Sequence, residues 1–205
     1  MTTAVIIFAK APVPGQSKTR LISLLGTRGA ANAGAEIARQ VLQSVAPLAR
    51  ETKKFQLSLW AASAHPTLAA WANQYGLEWG LQGQGDLGQR MHQSLAASLH
   101  QGAARVLLIG TDCPAMTADY LRDASAALQQ ADLVLGPAED GGYVLIGCRA
   151  PQPELFDDVA WGTDEVLAQT LAKARALGLR VTLLAPLWDV DVPEDWQRYR
   201  QWRDE

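Results

Sequence analysis

Ala4-Val5-Ile6-Ile7-Phe8-Ala9, running into Lys10-Ala11-Pro12-Val13-Pro14-Gly15-Gln16-Ser17-Lys18-Thr19-Arg20, is the stretch that decides the fold. Six apolar residues in a row read as a buried β-strand. The loop that follows is shaped by Pro and Gly and carries three cations. It therefore places positive charge at the carboxyl end of a sheet, where open α/β sheets bind phosphorylated ligands. Thr19 after Lys18 matches the end of a P-loop, but the two glycines such a loop needs fall on Pro12 and Ser17. Phosphates are then expected on side chains rather than in a cradle of backbone N–H groups. Lys18 would act as a point charge and Arg20 as a planar fork, with Ala9 and Lys10 at the strand end and Lys10 the weaker cation. The plainer alternative is a solvated loop whose cations balance nearby carboxylates.

Outward from this loop the chain alternates. Strand signals lie at 4–9, 55–61, 77–82, 105–110, 132–136, 143–148 and 180–185, and Ala-rich helical stretches near 28–47, 66–75, 87–101, 117–130, 163–177 and 194–203. The run Arg105-Val106-Leu107-Leu108-Ile109-Gly110 is apolar almost throughout, as a strand covered on both faces reads. Leu87, Met91, Leu95 and Leu99 recur every four residues and mark the buried stripe of a helix. Thr117 and Thr163 each precede a helical stretch with acids close behind, the pattern of N-caps. The expected architecture is α/β: one Rossmann-like three-layer α/β/α sandwich over residues 1–205 with a mixed, mostly parallel sheet. The pair 132–136 and 143–148, joined by an acidic Gly-rich loop, breaks the alternation and reads as an antiparallel insertion.

Composition narrows the class. At 205 residues, 48% hydrophobic and 19% charged, the chain can bury a core and is not disordered. A net charge of −3 with no basic stripe argues against a nucleic-acid partner. The first apolar run is too short for a membrane span and lacks the preceding cations of a signal peptide. The expectation is a cytoplasmic enzyme with no membrane partner. Cys113 and Cys148 read as reduced core thiols, and none of His65, His92 and His100 stands in a pattern that would activate Cys113.

Two acidic constellations carry the chemistry. In Leu108-Ile109-Gly110-Thr111-Asp112-Cys113-Pro114 a strand delivers one carboxylate at its carboxyl end. That is a usual place for a hard divalent cation, which keeps its waters and substrate phosphates. Asp112 could instead cap the next helix, but Thr117 is the better cap. In Trp188-Asp189-Val190-Asp191-Val192-Pro193-Glu194-Asp195, the acids Asp189 and Asp191 point the same way off an extended segment. Glu194 and Asp195 are explained by the helix that Pro193 opens. Asp189 and Asp191 are costly neighbours without a cation. Asp112 with either of them would hold Mg²⁺ (or Mn²⁺) for phosphate chemistry.

The stretch Phe8 to Leu21, together with Gly85-Asp86-Leu87-Gly88-Gln89-Arg90-Met91, Gly110-Thr111-Asp112-Cys113-Pro114, Glu139-Asp140-Gly141-Gly142-Tyr143 and Trp161-Gly162-Thr163, closely resembles a bacterial family assigned as glycosyltransferases (the DUF2064 type, some members linked to arsenosugar biosynthesis). The family is similar to small nucleotidyltransferases of the nucleotide-diphospho-sugar transferase (GT-A) fold, and the resemblance spans nearly the whole chain. It implies a nucleotide or nucleotide sugar in the first half and a small acceptor in the second, and leaves a homodimer open. It implies that Lys18 and Arg20 neutralise the diphosphate and that Gly85, Asp86 and Gly88, with Thr111, contact base or ribose. On the acceptor side it places Gly141, Gly142, Tyr143, Trp161 and Thr163, with Asp140 as base if the reaction is glycosyl transfer. Glycosyl transfer from a nucleotide-diphospho-sugar is the first expectation, and nucleotidyl transfer with release of diphosphate the alternative. Gly110 stands where many sugar transferases carry the first acid of Asp-x-Asp, which leans toward that alternative. A kinase and a non-catalytic nucleotide-binding module are the readings from other classes.

Overall fold

The computed structural model describes residues 2–51 and 54–204. Among these residues seven strands join one sheet: β1 (Thr3–Ala9), β2 (Phe55–Ala61), β3 (Glu78–Leu81), β4 (Arg105–Ile109), β5 (Leu133–Pro137), β6 (Tyr143–Cys148) and β7 (Val181–Leu183). Their order across the sheet is β3-β2-β1-β4-β6-β5-β7. β6 is antiparallel to both of its neighbours, and every other pairing is parallel. The antiparallel insertion expected from the acidic loop is thus β6, threaded between β4 and β5.

Among the described residues six α-helices cover the sheet: α1 (Ile22–Val45), α2 (Pro66–Tyr75), α3 (Leu87–His100), α4 (Ala118–Ala127), α5 (Val166–Ala176) and α6 (Pro193–Asp204). Side chains alternate along β1 and so feed two cores. Val5, Ile7 and Ala9 meet α1, α2 and α4 through Val41, Leu42, Leu68, Trp71 and Leu121. Ala4, Ile6 and Phe8 meet α3 and α5 through Met91, Leu95 and Ala174. The result is the expected three-layer sandwich. A third cluster packs Trp196 and Tyr199 of α6 against Leu21, Ala30, Ala33, Ile37 and Val190.

Helix starts are where sequence and structure differ. α1 begins at Ile22, not near 28, because helical residues resume on both sides of a kink at Gly26, whose φ is 67°. Thr117 caps α4, accepting from Tyr120 N–H at 3.1 Å. Thr163 does not cap α5, which starts three residues later at Val166. Its hydroxyl donates to Ala160 O and accepts from Glu165 N–H in a local turn, following Gly162 at φ 83°.

β6 lies so close to its neighbours that it tolerates no side chain at Gly147. A Cβ there would stand 2.4 Å from a Leu107 methyl, 2.8 Å from Val134 and 3.0 Å from the Val106 carbonyl. Gly147→Ala is expected to destabilise by about 1–3 kcal/mol through overpacking, lowering Tm by roughly 2–4 °C per kcal/mol. A wild-type melting curve for this variant would refute the packing of β6.

Candidate active site

The strand order reverses between β1 and β4, and a crevice opens outside the carboxyl ends of adjacent strands at such a switch point. A cleft of about 520 Å³ lies there. The loop after β1 and the Gly110-Thr111-Asp112 turn after β4 form its two lips. Because β6 runs the opposite way, it begins where β1 and β4 end, and Tyr143 joins the same rim.

Lys18 holds the two lips together. Its Nζ donates to Asp112 Oδ1 at 2.7 Å and to Val190 O at 2.5 Å, and its side chain is only 8% exposed. Lys18 sits in the left-handed region at φ 48°, unusual for a residue with a side chain. α1 makes room for it: a Cβ on Gly34 would come within 2.8 Å of Ser17 Oγ and 3.3 Å of Lys18 Cγ. The Asp189–Asp191 segment reaches the site through Val190 N–H, which donates to Asp112 O at 2.9 Å. Asp195, in the first turn of α6, accepts from Asp191 N–H and Val192 N–H, each at 2.9 Å, and so fixes that segment from behind. Arg198 stacks over Trp188 at 4.5 Å and pairs with Glu139, tying the late acidic segment to the 139–142 turn.

Asp112, Asp189 and Asp191 all line the cleft despite their distance in sequence. The Asp112 carboxylate is 55% exposed. The Asp189 carboxyl is pushed up to about 6, first by burial and then by the Asp140 charge, with Lys18 opposing and Asp112 adding to the shift. Among the described residues no group of three or more His, Cys, Asp or Glu side chains is placed to hold a metal ion, the set Asp112, Asp189 and Asp191 included. A magnesium-like ion takes one or two carboxylates and completes its shell with water and phosphate, so Asp112 with Asp189 or Asp191 could hold one.

Arg20 pairs with Asp191 at 2.6 Å, and its side chain is 64% exposed. Such pairs contribute at most about 1 kcal/mol. Arg20→Ala is expected to leave Tm unchanged while weakening triphosphate binding roughly tenfold or more. A lower Tm with unchanged affinity per folded molecule would make Arg20 merely structural.

Of the residues expected at the nucleotide, Ala9, Lys10, Lys18 and Thr111 line the cleft. Arg20, Gly85, Asp86 and Gly88 are not among its lining residues. Asp86 is the N-cap of α3 in a capping box: its carboxylate accepts from Gln89 N–H at 2.8 Å, and its own N–H donates to Gln89 Oε1 at 3.1 Å. Its side chain is committed to the helix start. Gly88 packs on Trp161, whose ring would lie 2.6 Å from a Cβ there.

On the expected acceptor side only Tyr143 lines the cleft. Gly141 sits at φ 89° against the Asp164 backbone, and Asp140 Oδ1 accepts from Gly142 N–H at 2.9 Å, so both serve the hairpin turn. Trp161 stands edge-on to Tyr143 with ring centroids 6.4 Å apart, and Thr163 is held in its local turn. Cys113 lines the cleft, and burial pushes its thiol up to about 12, which favours the protonated form. Gln82 and Arg90 line the cleft without having been assigned a role from sequence. The strand–turn–helix around them was legible, but not which face of the new helix looks inward.

A doubly wound sheet with this cleft is the architecture of nucleotide-diphospho-sugar transferases and nucleotidyltransferases. The profile of DUF2064, described as an uncharacterized protein conserved in bacteria, matches residues 45–163. The chain belongs to this family. A phosphoenolpyruvate guanylyltransferase of Chloroflexus aggregans is 29% identical over 188 residues, 91% of this chain and 90% of that protein. A crystal structure from Desulfovibrio desulfuricans G20, described as a nucleotide-diphospho-sugar transferase, superposes with a TM-score of 0.83 at 31% identity, covering 93% of this chain and 82% of that one. An inositol-1-phosphate CTP transferase from T. maritima shares the fold, with a TM-score of 0.62 at 14% identity over 94% and 90% of the two chains. No helix among the described residues is long and apolar enough to cross a membrane.

Proposed function

We propose that the chain is a divalent-cation-dependent nucleotidyltransferase. It takes a nucleoside triphosphate, passes the nucleoside monophosphate to a small phosphorylated acceptor and releases diphosphate. The chain is an enzyme of the transferase class, and the identity of its relatives favours nucleotidyl over glycosyl transfer. The observation that carries the reading is the meeting of Lys18, Asp112 and the Asp189–Asp191 segment in one cleft at the β1/β4 switch point.

In this reading an acceptor oxygen attacks the α-phosphorus as the bond to the β-phosphate bridging oxygen breaks, and the electron pair leaves with diphosphate. Lys18 and Arg20 stabilise the charge that gathers on the leaving group, which is positioning and electrostatics rather than covalent chemistry. Asp112 with Asp189 or Asp191 would hold Mg²⁺ or Mn²⁺, which when bound neutralises charge on phosphate oxygens. A phosphate or carboxylate acceptor already carries its negative charge. The reaction then needs no general base, and Asp140 keeps its turn-forming role.

The named activity of the Chloroflexus proteins makes GTP with phosphoenolpyruvate the first pair to assay, beside ATP, CTP and UTP and a panel of nucleotide sugars. Magnesium-dependent diphosphate release from a triphosphate is the expected result. Sugar transfer from a nucleotide sugar without diphosphate release would overturn it in favour of glycosyl transfer.

A further inference from the structure

Lys10 and Arg90 are the cleft cations that the mechanism leaves unused, and the less exposed of the two is Arg90. It projects from the first turn of α3, half-buried, and no carboxylate pairs with it among the described residues. It is nonetheless held from behind. Nε donates to Asp86 O at 3.2 Å, and Nη1 donates to Gln82 Oε1 at 2.8 Å. Gln82 is itself anchored, its Nε2 donating to Trp60 O at 3.0 Å and its backbone N–H to Ala61 O at 2.9 Å. Two of the five guanidinium N–H groups are thus spent on positioning. Three remain on Nη1 and Nη2, at the end of the fork that makes bidentate contacts.

Position decides what that fork meets. Gln82 follows β3, and Asp112 follows β4. The order β3-β2-β1-β4 puts three strand spacings, about 14 Å, between those edges. A nucleotide whose phosphates lie by Lys18 and Asp112 would span that gap through its ribose, so the group arriving at Arg90 is the far edge of the base. A guanidinium has donors only. Guanine offers two adjacent acceptors, O6 and N7, whereas adenine sets a donor, N6, beside N7.

We propose that Arg90, preorganised by Gln82, is the base-reading residue of the cleft, taking O6 and N7 of a guanine. This rests on the nucleotidyltransferase reading above and deepens it. Residue Asp86, by contrast, acts only by capping α3 and presenting its carbonyl to Arg90.

The test compares analogues on the full chain with magnesium, by calorimetric Kd. Wild type is expected to bind ITP, which keeps O6 and N7, about as well as GTP. It should bind 7-deaza-GTP and ATP roughly tenfold or more weakly. In Arg90→Ala, GTP should fall by a similar factor and the difference between GTP and 7-deaza-GTP should vanish. Gln82→Ala should show the same trend in weaker form. Equal wild-type affinity for GTP, 7-deaza-GTP and ATP overturns the proposal and leaves nucleotidyl transfer standing. So does an equal loss for every triphosphate in Arg90→Ala, which would place Arg90 on phosphate. If no triphosphate binds wild type at all, the nucleotidyltransferase reading fails first. The wild-type analogue series can overturn the proposal even if the Arg90 variant does not fold, and Gln82→Ala then carries the assignment to Arg90.

Discussion

Asp112→Asn is expected to leave a folded protein that has lost magnesium-dependent turnover. The carboxylate stands at the end of β4, more than half exposed, so its replacement opens no cavity. The amide oxygen of Asn can still accept from Lys18 Nζ, which also keeps Val190 O, so the buried ammonium is not stranded. What disappears is the negative charge that Asp189 and Asp191 would share in holding a cation. Loss of charge stabilisation at phosphate corresponds to several kcal/mol, on the order of a thousandfold in rate. Two measurements check this: diphosphate release at saturating magnesium, and the magnesium- or manganese-dependent rise in Tm without substrate. A variant that keeps the wild-type response in both would remove Asp112 from the metal site.

Lys18→Met should lower both stability and triphosphate affinity, unlike Arg20→Ala. Met keeps the aliphatic stem that passes Gly34 but ends the two charge-assisted contacts to Asp112 and Val190 O. Each such contact contributes about 1.5–3 kcal/mol. With both gone, a loss of about 3–6 kcal/mol and a fall in Tm on the order of 6–24 °C are expected. Triphosphate affinity should drop roughly ten- to a hundredfold, with nucleoside affinity almost unchanged. Unchanged Tm would mean that Lys18 is a phosphate ligand alone. A lower Tm with full affinity per folded molecule would mean that it is only a brace.

The contrast between these two cations shows why the first loop was legible only in part. Its place after β1, its charge and its lack of P-loop glycines are local properties, and the sequence displays them. That Lys18 turns inward at positive φ while Arg20 stays in water depends on α1 passing beside the loop at Gly34. The same limit applies to Asp86. A Gly-rich turn entering a helix reads equally as a ligand contact or a cap, and only the reciprocal bonds with Gln89 show the cap.

By itself the sequence determined the alternation of strands and helices, the three-layer class and an antiparallel break within the pair 132–136 and 143–148, but not which of the two strands runs backwards. These follow from apolar periodicity and turn chemistry, which act over a few residues. It also singled out Asp112, Asp189 and Asp191, because unexplained neighbouring acids at strand ends are costly wherever the chain places them. Tertiary structure alone decided which of the marked residues meet. Asp112 and Asp191 are 79 positions apart in sequence, yet both line one cleft. Their meeting depends on Val190 bonding to the Asp112 carbonyl and on Asp195 fixing the segment beyond. Gln82 and Arg90 enter the cleft for the same kind of reason. Arg90 is aimed by how α3 packs on the sheet and Gln82 by its bonds to Trp60 O and Ala61 O of β2, and no local pattern carries that information.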